Sequence, residues 1–352
     1  MPMEDGQHSF DCKPIKRYTQ ASNSFTSRLG FTMDNRQKKP GRFICPSTRK
    51  FFRESRANKN HSLGDFIHGY IYGRWTYTYI GVAKGRHPLT KILGPLFSFI
   101  TMLFPKPKVD ADSRSDENKS KITFADGYHG KVMPLDKASK LVTINKPLKL
   151  PDLEQIIPYK RARDIILENP DHIAVLKCPC RSAQENPCQP EDVCLIIGEP
   201  FVSFIIEHHS DKARQITQQE AVAIMNAEED RGHVHHAFFK DAMLDRFYAI
   251  CNCCSCCCGA INAHRNGTPM LASSGYISEV DDELCIGCGI CAGFCQFDAI
   301  RLQDGLAAVD FEKCMGCGVC ASKCEQGAIQ LRLEPAKGVP LDICSLQSAE
   351  IQ

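Results

Sequence analysis

Two stretches of this chain, 29 residues apart, carry the same cysteine pattern, and that repeat constrains the fold more than any other feature. Asp282–Leu302 reads DELCIGCGICAGFCQFDAIRL and Phe311–Leu331 reads FEKCMGCGVCASKCEQGAIQL. Each spaces its cysteines as Cys-x-x-Cys-x-x-Cys-x-x-x-Cys. The first set is Cys285, Cys288, Cys291 and Cys295; the second is Cys314, Cys317, Cys320 and Cys324. Ala299 and Ile300 fall on Ala328 and Ile329 under the same shift. A unit this small buries little by itself, so two copies around a shared core are expected.

The spacing is chemical as well as repetitive. Three thiolates two residues apart wrap one corner of an iron–sulfur cube on a tight loop. Gly287, Gly289, Gly316 and Gly318 let that loop turn sharply and approach closely. Backbone N–H groups aimed at sulfur then stabilise a negative cluster. Zinc sites more often use two cysteine pairs with a longer separation, rather than four cysteines in eleven residues.

The segment resembles the bacterial-type two-cluster [4Fe–4S] ferredoxins, whose fourth cysteine serves the other cluster. That resemblance implies Cys285, Cys288, Cys291 and Cys324 on one cluster. It implies Cys314, Cys317, Cys320 and Cys295 on the second, in a small pseudo-twofold (βαβ)2 domain. The family places Pro after the fourth cysteine; this chain has Gln296 and Glu325. The restored N–H raises a reduction potential and the carboxylate lowers one.

Eighteen of the 21 cysteines lie between Cys178 and Cys324; Cys12, Cys45 and Cys344 lie outside. A disulfide scaffold belongs to short secreted chains, whereas this one has 352 residues and begins MPMEDGQHSF, with no basic-then-apolar leader. A reducing, oxygen-poor cytoplasm is the expected compartment. A second territory holds Cys178, Cys180, Cys188 and Cys194 in KCPCRSAQENPCQPEDVC, and Cys251, Cys253, Cys254, Cys256, Cys257 and Cys258 in CNCCSCCCG. Thiols that dense are hard to explain as packing alone. Three readings stay open: one or two further [4Fe–4S] clusters, a site-differentiated cluster that does chemistry, or structural zinc. The CPCR and CNCCSCCC segments, with the ferredoxin repeat, are similar to an uncharacterised class of large iron–sulfur proteins of anaerobic bacteria. That likeness implies redox work and brings no substrate. Arg181 would stabilise a thiolate cluster or an anion. Of His208, His209, His233, His235 and His236, the last two are the candidate ligands or proton relays.

The expected class is α+β: a mixed α/β cysteine-rich domain followed by the ferredoxin unit. Residues 1–62 read as a basic, loosely ordered arm, since residues 1–60 hold 13 Lys/Arg against 5 Asp/Glu. Residues 63–105 read as an aromatic and apolar docking segment, with a strand hint at Tyr77–Ile80 and candidate peripheral contact with a membrane surface. Its longest apolar run, Ile92–Phe104, has 13 residues against the ~20 a spanning helix needs. Residues 106–121 form a polar linker. Residues 122–275 form the cysteine-rich domain, with short strands and turns at 122–151, a helix over Tyr159–Glu168, a strand at His172–Lys177 and a helix capped by Thr217 and Glu220 and ended at Gly232. Residues 276–335 are the ferredoxin domain and 336–352 a tail.

No phosphate loop, dinucleotide fingerprint, nucleophile elbow or haem-attachment motif occurs, and basic residues do not interleave with aromatics as nucleic-acid binding requires. The expected function is a low-potential electron carrier, serving a partner oxidoreductase or a membrane-associated complex from the cytoplasmic face. The alternatives are a reductase subunit with a catalytic cluster in the Cys178–Cys258 domain, and an assembly protein with structural clusters.

Overall fold

A computed structural model describes residues 45–88, 127–151, 153–159 and 164–343. The linker, the apolar run and most of the basic arm lie outside these residues. Helix and strand are mixed throughout, so the class is α+β.

The centre is a seven-stranded sheet. It is built from β1 (Tyr128–Met133), β4 (Ile173–Lys177), β5 (Asp192–Ile197), β6 (Ala213–Ile216), β7 (Val234–Lys240), β8 (Arg246–Cys253) and β9 (Leu271–Ala272). A separate ribbon pairs β2 (Leu148–Leu150) with β3 (Ile165–Leu167). The sheet order is β6-β4-β5-β8-β7-β1-β9, antiparallel between all neighbours except β1 and β9. β-Branched and aromatic residues recur in the middle strands, and β7 is buried at every position, as a strand covered on both faces must be. The β5–β8 pairing sets Cys194 opposite Cys251. Strand geometry therefore joins the two cysteine segments that lie far apart in sequence.

Helices α1 (Pro46–Ala57), α2 (Leu63–Arg74) and α3 (Thr76–Ala83) pack on this sheet together with α6 (Phe201–His208). Between them come α4 (Leu135–Val142) and the short α5 (Pro179–Ser182). Phe51 is 1% exposed and meets Phe66, Phe201 and Phe204 edge-on. Burying such a ring stabilises by about 2–3 kcal/mol. The end of the basic arm is thus an ordered helix: Arg49, Arg53 and Arg56 face outward, Phe51 and three small hydroxyl residues face the core, and Glu54 reaches in to the buried Arg246 at 2.9 Å. The strand hint at Tyr77–Ile80 is likewise helix: Tyr72, Tyr77 and Tyr79 all turn onto their own chain.

Two other local expectations change. The 122–151 stretch contains helix α4, whose apolar face Ala138, Leu141 and Val142 follows helical spacing and is fully buried. Of the helix expected over Tyr159–Glu168, residues 160–163 lie outside the described residues, and Ile165–Leu167 form β3 instead, because Ile165 and Leu167 alternate into the core against Leu150 and Leu148. The strand after His172 and the helix after Thr217 form as expected: α7 (Gln218–Asp230) starts with the Glu220 N–H donating to Thr217 Oγ1 at 3.1 Å.

After α8 (Gly259–Arg265), the C-terminal unit runs β10 (Tyr276–Val280), α9 (Ile290–Phe294), β11 (Ile300–Gln303), β12 (Leu306–Val309), α10 (Val319–Lys323) and β13 (Ile329–Leu333). β10 pairs antiparallel with β13, and β11 with β12. The start of the tail is docked: Leu341 and Ile343 are buried, and Lys137 pairs with Asp342.

Candidate metal centres

The C-terminal unit brings the two halves of the repeat together crosswise. Cys285, Cys288 and Cys291 line one cavity with Cys324, from the other half. Cys314, Cys317 and Cys320 lie near Cys295, whose sulfur raises the Cys317 and Cys320 thiols after burial and mutual repulsion. The donor set is wholly sulfur, and the loops are shaped for a bulky group. Gly287 and Gly316 have φ of +65° and +62°. A Cβ there would stand 1.9 Å from Gly305 O and 2.1 Å from Tyr276 O, respectively. Only glycine closes these loops tightly enough to leave the thiols facing inward.

The halves differ in their surroundings. Cys288 is exposed, and Ile286 beside it is 68% exposed. The other half is sunk into the main core through Cys314, Met315 and Val319. Ser278 Oγ lies 3.0 Å from Cys320 Sγ, positioned to donate to it. The Glu229 carboxylate lies close enough to push the Cys317 thiol up. Lys323 donates to Asp230 O at 2.8 Å, fixing α10 on α7.

Gln296, standing where the ferredoxins have Pro, makes the main polar bridge to the cysteine-rich domain. Its Oε1 accepts from Ser255 N at 2.7 Å and its Nε2 donates to Gly232 O at 2.9 Å. Arg265 adds a bond to Gln296 O at 2.9 Å. Ser255 lies inside the CNCCSCCC run, so one side chain ties the inner quartet's loop to the second cysteine territory. Sequence reasoning noted the substitution and missed this role, because its partner is 41 residues away.

That second territory divides in two. Cys178, Cys180, Cys194, Cys251, Cys253 and Cys258 line a partly open cavity of about 70 Å³, and Cys254 and Cys257 line it too. Cys194 and Cys251 stand 3.9 Å apart. The Cys178 and Cys251 thiols both point at Cys194 and hold its thiol well below the usual value, a local preference for thiolate. Most of the remaining wall is apolar or aromatic, including Tyr72, Tyr128, Phe238, Tyr248 and Ile80, with Arg181, Asn252 and Thr76 as its polar members. Tyr72 and Tyr248 close the wall through an O···O contact of 2.8 Å. The segment around α2 and α3 therefore roofs the cysteines, while Ile67, Ile71 and Trp75 stay exposed on its other side.

Cys188, by contrast, joins Cys254, Cys256 and Cys257 in a separate group. Lys84 spans the two sites, donating to Cys180 O at 3.0 Å and to Cys257 O at 2.6 Å. It was not singled out in sequence, since nothing local marks a lysine that caps a carbonyl 173 residues away.

Arg181 is a buried strut. It is 1% exposed and donates to Glu228 Oε2 at 2.5 Å and to Asn252 O at 3.1 Å, and it meets His233 Nδ1 at 3.1 Å. Its charge faces Cys178 and Cys254 as well as Glu228. His208 and His209 bond to Thr48 and Gly73 O, away from the thiols. His235 is held between Asn252 Oδ1 at 2.6 Å and Glu229 Oε2 at 3.2 Å. His236 has neither ring nitrogen bonded, sits near Phe238 and Phe297, and is pushed down to about 3 by burial.

Among the described residues no helix is long and apolar enough to cross a membrane. The family model of the 4Fe–4S binding domain matches residues 278–301 and again 307–330. No curated protein and no solved structure matches this chain. Two cluster-binding matches on crossed cysteine quartets, beside a second cysteine territory, make this an iron–sulfur protein with two [4Fe–4S] clusters near its C-terminus.

Proposed function

We propose that this chain relays low-potential electrons between a partner oxidoreductase and an iron–sulfur site inside its own cysteine-rich domain. The C-terminal unit is read as a pseudo-twofold (βαβ)2 domain of the bacterial two-cluster type. Cys285, Cys288, Cys291 and Cys324 hold its outer cluster, and Cys314, Cys317, Cys320 and Cys295 its inner one. Four of the six thiols Cys178, Cys180, Cys194, Cys251, Cys253 and Cys258 around the cavity hold a third. When bound, such clusters accept and release one electron at a time with little movement of atoms.

The observation that carries this reading is the Gln296 bridge to Ser255, which sets the inner quartet against the second cysteine territory. The chain's own groups do the rest. The Tyr and Phe walls give the thiols an apolar surround, Arg181 offsets thiolate charge, and Ser278 steadies the inner quartet. Leu284 and Ile286 stand exposed beside the outer quartet, among Asp282 and Glu283, which suits a partner with an apolar patch and a basic rim. Exposed Ile67, Ile71 and Trp75 would serve a membrane-associated partner on another face.

The test is anaerobic EPR on the reduced full chain and on Cys194→Ser. A third iron signal lost in the variant, with the two ferredoxin signals kept, supports the reading. Only two cluster signals in the wild-type chain would remove the third site, and a third signal kept in the variant would remove Cys194 as its ligand. A reductase is the second reading, favoured because six thiols exceed the four that a cubane takes. It requires the third signal to change when a small disulfide or thiol is added.

A further inference from the structure

We infer that Cys188, Cys254, Cys256 and Cys257 form a mononuclear tetrahedral site for a soft divalent cation, zinc above all, separate from every iron–sulfur cluster. The four sulfurs all lie within 4.8 Å of one another. Cys188 and Cys256 approach to 2.9 Å, and Cys256 and Cys257 to 3.6 Å. Zinc–sulfur bonds of about 2.3 Å in a tetrahedron place sulfurs about 3.8 Å apart. The group needs only small adjustments to reach that spacing. A cubane binds each thiolate to a different iron, and so holds the four sulfurs farther apart than one ion does. Among the described residues, this is the only set of three or more candidate ligands that converges tightly enough for a single ion.

The chain delivers these thiols in a way that suits a structural ion. Cys254, Cys256 and Cys257 sit on one turn, closed by the Cys257 and Cys258 N–H groups donating to Cys254 O at 3.3 and 2.9 Å. Cys188 comes from the separate 183–191 loop, and Gln184 on that loop donates to Cys256 O at 3.3 Å. Four thiolates around a dication carry a net charge of −2. Lys84 donates to the Cys257 carbonyl, and the Arg181 charge faces Cys254, so positive charge is already in place. Cys256 is exposed, which gives an ion a way in. Cys254 and Cys257 also line the neighbouring cavity, so an ion here pins part of its wall. Binding takes up one cation and releases the protons of those thiols that are not already ionised; no electron moves.

This goes beyond the electron-relay reading and can fail separately from it. The full chain is purified anaerobically, its zinc, iron and sulfide are counted, and its zinc-edge X-ray absorption is recorded. About one zinc per chain, with four sulfurs at about 2.3 Å, is expected. Cys188→Ser and Cys256→Ser are each expected to lose that zinc and keep wild-type iron and sulfide. Should either variant fail to fold, the wild-type zinc shell and stoichiometry decide by themselves. No zinc, a shell with fewer than four sulfurs, zinc that survives both substitutions, or iron lost in its place would each overturn the inference.

Discussion

The outer and inner halves of the cysteine repeat have the same spacing and glycine placement, yet they inhabit different environments. Cys288 stands at the surface with Ile286 bare beside it, and Cys285 packs only against the small cluster of its own unit. Of their counterparts, Cys314 joins the core of the whole molecule and Cys317 packs against it. The shift of 29 residues pairs Ser278 with Ala307, so only the inner quartet has a hydroxyl at that place. It also pairs Gln296, which bridges to Ser255, with Glu325, which is exposed. A duplicated motif gives two chemically equal sites, and the packing of one against a neighbour makes them unequal. One end can then meet a partner while the other meets the interior.

The largest expected effect tests that inequality directly. Cys314→Ser and Cys285→Ser should each abolish one cubane signal. Cys314→Ser should cost about 2–3 kcal/mol more stability, because its loss also opens the main core. That difference corresponds to roughly 5–10 °C in Tm by calorimetry on the anaerobic protein. Equal losses would mean that the inner half is not structurally embedded.

Next come the loop glycines, which should not distinguish the halves. Gly287→Ala and Gly316→Ala both force a Cβ against a backbone carbonyl at positive φ, at a cost of about 2–4 kcal/mol each. Denaturant midpoints should fall alike. A much smaller effect at one site would show that the two loops are not equivalent, and would place part of the asymmetry in the motif itself.

Gln296→Ala should cost about 1–2 kcal/mol and expose the Ser255 amide to faster hydrogen exchange, whereas Glu325→Ala should change stability by less than about 0.5 kcal/mol. Matching effects would remove the bridge from the account.

Smallest are the shifts in potential, which have opposite signs. Removing the Ser278 hydroxyl donor disfavours the more negative reduced state, so Ser278→Ala should lower the inner potential. Removing a nearby carboxylate does the reverse, so Glu229→Gln should raise it. Each is expected at about 40 mV, near 1 kcal/mol for one electron. Redox-poised EPR reads both, and the outer potential should stay in place.

Much of the candidate site was legible because metal ligation is local. Cys-x-x-Cys-x-x-Cys fixes three donors on one loop, and period and spacing suffice to find it. The strand after His172 and the cap at Thr217 were legible for the same reason. The division of the ten other cysteines was not, since it depends on Cys194 facing Cys251 across β5 and β8, and on Cys188 reaching the turn at Cys254. Segment 63–105 read as a docking segment, and the rings of its described part gave no sign that Tyr72 and Ile80 also line the chain's own cysteine cavity. Tyr159–Glu168 misled because Ile165 and Leu167 fit either a helix or a strand until their partners at Leu148 and Leu150 are known.

Counting iron and acid-labile sulfide in the anaerobically purified full chain tests the central claim most directly. The account predicts about twelve of each per chain, eight in the crossed C-terminal quartets and four within the cysteine cavity. Eight of each would leave the inner quartet facing no acceptor, and fewer than eight would contradict the paired clusters themselves.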